Sequence, residues 1–163
     1  MLYFAYGSNM SSPRLRQRRI TAKVIGVGRL DRYRLRFHKV GKDGSGKCDI
    51  EEEASPEAAV IGVVFEIASV DKQKLDKCEG LGFGYTEEEI DVRVKPFGLK
   101  RVFTYVATDI DRNLKPFDWY LEHVLRGARE HGLPPEYVAC IEAAEILVDA
   151  DVDRRNRELS IYD

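Results

Sequence analysis

A chain of 163 residues, 44% hydrophobic and 33% charged with a formal net charge of −2, is long enough to bury a substantial core and has the make-up of an ordinary soluble globular protein. No apolar run approaches the roughly 20 residues needed to cross a bilayer, and the short apolar opening lacks the basic leader and cleavage site of a signal peptide. Cys48, Cys78 and Cys140 are widely spaced with no CxxC pair, which argues against a disulfide framework or a zinc site and for a reducing cytoplasm.

The first strand is expected at Leu2–Tyr6, an uncharged run rich in aromatics. Gly7-Ser8-Asn9 breaks it with residues that tolerate turns and leave backbone N–H groups uncovered. Ser12 reads as an N-cap and Pro13 as the first residue of a short basic helix ending near Arg19. A strand, a glycine turn and a helix start in this order can aim backbone donors at an anionic or carbonyl oxygen, or can simply reverse the chain. Strands are expected at 22–30 and 32–38, then a flexible turn at 41–46. The acidic stretch Cys48–Pro56 reads as an exposed loop or an edge strand.

Val60–Ile67 is nearly continuously apolar and predicts a central strand. Ser69 then caps a helix that Gly80 stops. Strands are expected at 86–94 and 101–108, joined by a turn at Pro96-Phe97-Gly98. Phe117, Tyr120, Leu121, Val124, Leu125 and Ala128 follow helical spacing, and a second helix is expected from Leu133 to about Val148. Strands early and helices late make the class α+β, with a strongly curved or closed sheet and helices packed outside. One domain is expected over residues 1–148, followed by a loosely held charged tail over 149–163.

Charge is unevenly spread. Eleven Lys or Arg residues and one acid, Asp31, lie between Pro13 and Lys42, and the acids are concentrated later, as in Glu51-Glu52-Glu53 and Glu87-Glu88-Glu89. Nucleic-acid binding is one reading of a basic third. However, Tyr33, Leu35 and Phe37 alternate with Arg32, Arg34 and Arg36, which favours a strand with one core face and one solvated or anion-attracting face.

Among single residues Glu79 carries the most chemistry. It falls in the last turn of a helix, where exposed carbonyls disfavour a carboxylate, and an uncharged glycine-rich stretch follows it. Both effects favour the protonated form, as a proton shuttle requires; the plainer reading is an exposed helix-end glutamate. No nucleophile signature surrounds Cys78 or Cys140, and His38, His123 and His131 have no metal spacing. Tyr105 and Tyr120 read as core residues whose hydroxyls need partners.

Tyr3-Phe4-Ala5-Tyr6-Gly7-Ser8-Asn9-Met10 resembles the YGSN signature of the γ-glutamylcyclotransferase family. Gly62-Val63-Val64-Phe65 and Leu75–Gly80 resemble its GVVY strand and LD-x-x-EG helix end. Thr104-Tyr105 resembles its tyrosine strand, and Gly127–Tyr137 its GA-x-x-x-GLP-x-EY junction. The resemblance implies a small mixed β-barrel with flanking α-helices and an enzyme that cyclises a γ-glutamyl group to 5-oxoproline, releasing a free amine. It matches Glu79 to the catalytic glutamate and Tyr3, Phe4, Ala5, Tyr6, Gly7 and Ser8 to the substrate-binding loop. Tyr105 and Tyr120 match tyrosines near the carboxylate and the substrate. No metal or cofactor is implied. The expected partner is a small γ-glutamyl molecule, not nucleic acid or membrane, and a homodimer is compatible with the chain. The alternative is a non-catalytic module that binds γ-glutamyl or other anionic ligands. Departures at Cys48–Glu53 and in the loop Asp109–Lys115 leave specificity beyond the glutamyl head open. Ser8 is expected to act through its backbone rather than as a nucleophile.

Overall fold

The computed structural model describes residues 1–163. In chain order the strands are β1 (Leu2–Ala5), β2 (Ala22–Asp31), β3 (Tyr33–Val40), β4 (Gly46–Glu52), β5 (Ala59–Ile67), β6 (Tyr85–Val94) and β7 (Gly98–Ala107). The helices are α1 (Ser12–Gln17), α2 (Ser69–Glu79), α3 (Asp118–Glu130), α4 (Pro135–Glu142) and α5 (Val152–Leu159), with a 3₁₀ turn at Ser8–Met10. Five strands close into a barrel in the order β1-β5-β2-β6-β7, and β3 and β4 pair separately as a hairpin. The seam is β1, antiparallel to β5 over Leu2–Ala5 and parallel to β7 at Tyr3 and Phe103. This is the α+β, mixed-barrel architecture expected. No helix is long and apolar enough to cross a membrane.

The barrel interior is built on Phe4. Its ring is fully buried, together with Val60, Val64, Val92 and Val94, and burying such a ring contributes about 1.5–3 kcal/mol. The ring fits because Gly28 and Gly62 face each other across β2 and β5. A β-carbon on Gly62 would lie 2.3 Å from the Ala5 carbonyl oxygen and 2.9 Å from the Phe4 ring. Space for one large residue is thus made by omitting two small ones.

Three expectations change, and the acidic stretch takes the edge-strand alternative. It is largely strand β4, which pairs only with β3: Cys48 and Ile50 turn inward while Glu51 and Glu53 reach Arg36 and Arg34 on β3. Those contacts, with Arg29–Asp31 and Arg14–Glu158, spend much of the basic third on internal pairing. The first helix is capped by Ser11 rather than Ser12, the Ser11 hydroxyl accepting from Arg14 N–H. Helix α4 stops at Glu142 instead of Val148, since Leu147 leaves to bridge Phe117. The charged tail is not loosely held. Asp151 caps α5, Arg154 grips buried Asp149 through two bonds of 2.6 Å, and Tyr162 reaches Ser11 and His123.

Adding a methyl group at Gly62 forces backbone or ring displacement in a filled barrel. Gly62→Ala is expected to lower the unfolding free energy by about 1–3 kcal/mol, read as an earlier urea midpoint with an unchanged slope.

Candidate active site

The site forms where the first turn of the chain meets the end of α2. Strand β1 runs through the barrel wall, and the chain then doubles back in the 3₁₀ turn, where Met10 N–H bonds the Gly7 carbonyl at 3.0 Å. Helix α3 clamps this turn. A β-carbon on Gly127 would meet Ser11 N at 2.5 Å and Met10 at 2.6 Å, so only glycine lets the two backbones touch. The amide hydrogen of Gly7 meets no acceptor within the protein, which leaves an unpaired donor on a residue that lines the cavity.

Glu79 is the last residue of α2, which Gly80 stops in a left-handed conformation at φ 67°. Its carboxylate is not an exposed helix end, since only 15% of the side chain is accessible. Nor is it uncompensated. Asn9 Nδ2 donates to Oε1 at 2.9 Å and Arg18, just past α1, donates to the same oxygen at 2.5 Å. Arg18 also donates to Asn9 Oδ1 at 2.8 Å, so the three side chains interlock. Burial opposes the Arg18 charge, but the Glu79 carboxylate outweighs it and raises the guanidinium pKa. The second carboxylate oxygen, Oε2, accepts from no protein donor.

Tyrosines make the rest of the wall. Tyr3 Oη accepts from Asn9 Nδ2 at 3.0 Å, and the Tyr3 ring lies edge-on to Tyr105 with centroids 5.8 Å apart. Tyr6 donates to the Tyr105 carbonyl, and Tyr105 donates to Asp76 at 2.6 Å. The hairpin is pinned at Cys48: its N–H donates to Tyr120 Oη at 3.0 Å and its carbonyl accepts from Tyr85 at 2.7 Å. Burial raises the pKa of Tyr3, Tyr6, Tyr85, Tyr105 and Tyr120, so these hydroxyls stay neutral. Burial also pushes the Cys48 thiol up to about 12, which removes it as a nucleophile.

Tyr3, Tyr6, Gly7, Ser8, Glu79, Tyr105 and Tyr120 all line one small cavity. Phe4 and Ala5 do not line it. Phe4 fills the barrel, and Ala5 is buried against Val63 on β5, so their places in the motif are structural. Asn9, Cys48 and Tyr85 line the cavity as well. Asn9 was within reach of sequence reasoning, since it closes the YGSN run. Arg18 and Cys48 were not, because only the folded turn and hairpin bring them in. No group of three or more His, Cys, Asp or Glu side chains gathers in metal-ligand fashion. A larger groove of about 500 Å³ runs between β3 and α4, but the arginines along it are paired with acids of the hairpin and β2. Glu79 is not part of it.

The tail supports the site from behind. His123 Nε2 lies 2.8 Å from Arg14 Nη1 and 3.2 Å from Glu158 Oε2, and Nδ1 lies 2.7 Å from Tyr162 Oη; the shorter contact assigns Nε2 as acceptor from Arg14 and Nδ1 as donor to Tyr162. Tyr162 continues to Ser11 Oγ at 2.9 Å, the cap of α1, and α1 leads to Arg18. Glu158 pairs with Arg14 at 2.8 Å.

Three comparisons place the chain among known proteins. The AIG2-like family model matches residues 59–141, a span holding β5, α2 with Glu79, β6, β7 and α3. The chain is 33% identical over 150 residues to γ-glutamylcyclotransferase of Bos taurus and 32% identical to that of Homo sapiens, covering 88% of this chain and 78% of each relative. A solved γ-glutamyl cyclotransferase superposes with a TM-score of 0.81 at 27% identity, over 96% of this chain and 98% of that one. The chain belongs to the γ-glutamylcyclotransferase family and is an enzyme of that class.

Burial pushes the His123 imidazole down to about 4 from an ordinary 6.5, against the pull of Glu158. The unfolded chain therefore binds a proton that the folded chain refuses in this window, so stability falls as pH drops from about 6.5 towards 4. His123→Gln is expected to flatten that fall by about 1–3 kcal/mol, measured as urea midpoints at pH 7 and pH 4.5.

Proposed function

We propose that this chain cyclises the γ-glutamyl group of a γ-glutamyl amine or amino acid to 5-oxoproline, with Glu79 as general acid and base. In this reaction the substrate's own α-amine attacks its γ-carbonyl carbon. A C–N bond forms to close the five-membered lactam, and the original amide C–N bond breaks. The nucleophile and the electrophile belong to one molecule, so the enzyme needs only to fold the substrate and move a proton. An α-ammonium cannot attack until it loses a proton. Glu79 accepts that proton; after attack the ring nitrogen sheds a second, and the departing nitrogen takes up one through Glu79 to leave as the amine and the other to become its ammonium.

The observation that carries this reading is the unequal treatment of the Glu79 oxygens. Oε1 is saturated by Asn9 and Arg18, which holds the carboxyl group in one orientation, while Oε2 has no protein donor. A group held by one oxygen and free at the other is suited to pass a proton at a fixed point. The Gly7 N–H supplies a donor for the substrate's α-carboxylate or for the charge that develops on the γ-carbonyl oxygen. The neutral tyrosine hydroxyls add polarity without competing charge.

The test is Glu79→Gln, which keeps size and removes the transferable proton. Release of 5-oxoproline from a panel of γ-glutamyl compounds is expected to fall by about 10²–10⁴-fold in a variant that still unfolds cooperatively. Full turnover by the variant overturns the assignment of Glu79. Binding of γ-glutamyl compounds by the native chain without any turnover overturns the reaction itself.

A further inference from the structure

Most charged side chains near the site have partners: Lys47 pairs with Asp43 at 2.7 Å, Lys72 with Asp76 at 2.6 Å, and Arg18 with Glu79. Lys39 is the exception. It lies on β3 with only 9% of the residue exposed, and its ammonium makes neither an ion pair nor a hydrogen bond. The ammonium rests 4.9 Å from the centroid of the Tyr85 ring. It also crosses Gly84 so closely that a β-carbon there would lie 2.9 Å from Nζ. Tyr85 is a wall of the active-site cavity and Lys39 is not, so the cation stands against a residue that lines the cavity without lining it itself.

The surroundings do not neutralise this charge. Burial lowers the Lys39 pKa, and the nearby groups acting on it include Glu79 foremost, then Asp109, Lys42 and Asp43. Glu79 is already held by Arg18, and Asp43 by Lys47; Asp109 acts on the ammonium from a distance and makes no ion pair with it. A half-desolvated ammonium stacked on an aromatic face, with spare donors, is a receptor for an anion.

We propose that Lys39 sets substrate preference by holding the carboxylate of the amino acid that departs from the γ-glutamyl group. The proposal rests on the cyclotransferase reading above. A γ-glutamyl amino acid carries two carboxylates, one on the glutamyl head and one on the leaving residue. The head must reach Glu79 inside the cavity, where the Gly7 turn is placed to receive it. Lys39 is not part of the cavity lining, so it addresses the portion of substrate that projects outward past Tyr85. A γ-glutamyl amine without a carboxylate offers Lys39 nothing and leaves its charge unpartnered.

The experiment compares γ-glutamyl-alanine with γ-glutamyl-alaninamide, which has the same shape without the terminal charge. Released 5-oxoproline is measured for the native chain and for Lys39→Met. The native chain is expected to prefer the acid over the amide by about 10- to 100-fold in kcat/KM, the range a charge-assisted hydrogen bond supplies. In Lys39→Met that ratio is expected to collapse towards one. A native ratio near one overturns the proposal without recourse to any variant, as does a ratio that survives in Lys39→Met. If the native chain releases 5-oxoproline from neither compound nor from a wider panel, the cyclotransferase reading fails and the proposal falls with it.

Discussion

The site depends on the contact between Arg18 and Glu79, with Asn9 bonded to both. A carboxylate at the C-terminal end of a helix faces the negative end of the helix dipole, and here it is also largely withdrawn from water. Either condition alone disfavours the anion. Arg18 makes the anion tolerable, and because guanidinium stays protonated at any physiological pH, the compensation is permanent. Removing one partner of such a pair strands the other, a loss of about 3–5 kcal/mol. Charge, orientation and folding are therefore coupled at one point. The first turn of the chain cannot drift from the end of α2 without exposing both charges.

That constraint propagates outward along covalent and hydrogen-bonded links. Arg18 is placed by α1, α1 by its Ser11 cap, and Ser11 by Tyr162 and by the close approach of Gly127. His123, buried and neutral, joins Arg14 on α1 to Tyr162 beyond α5. The last dozen residues thus fix the pose of the first twenty. A helix as short as α1 has little stability of its own, so its geometry is borrowed from these contacts. The charged residues 149–163 look like surplus in the sequence because their partners, Arg14, Trp119 and Asp118, lie far away along the chain.

What was legible in the residues was what depends on local periodicity. The strand Val60–Ile67, the helix ending at Gly80 and the apolar stripe of α3 each carry their pattern within a single element. Barrel closure was legible as a tendency, from short strands preceding helices. The pairing of Arg18 with Glu79 was not, since 61 positions separate them and either residue alone reads as solvated. The tail was misread for the same reason: charge density signals disorder only where the opposite charges are absent, and α5 finds them on α3 and at Asp149. Phe4 and Ala5 were included with their neighbours because motif position does not reveal side-chain direction. In a strand alternate residues face opposite sides, and the barrel claims Phe4.

The character of the cavity follows from what it leaves out. Five tyrosines and a glycine turn surround a single carboxylate, and no second acid lines the space. Burial keeps those hydroxyls protonated, so they offer dipoles in fixed directions and no net charge. A γ-glutamyl substrate brings its own charges, an α-ammonium and an α-carboxylate, and these can be sorted only by a site with few of its own. In the proposed reaction the one buried anion draws the ammonium to the oxygen proposed to deprotonate it, and an unpaired backbone N–H remains for the negative end. With further charges in the wall the same head could bind in several orientations. With one carboxylate, held by one oxygen, the proposed reaction gives the amine one favoured place to go, and on that reading it loses its proton there before the ring closes.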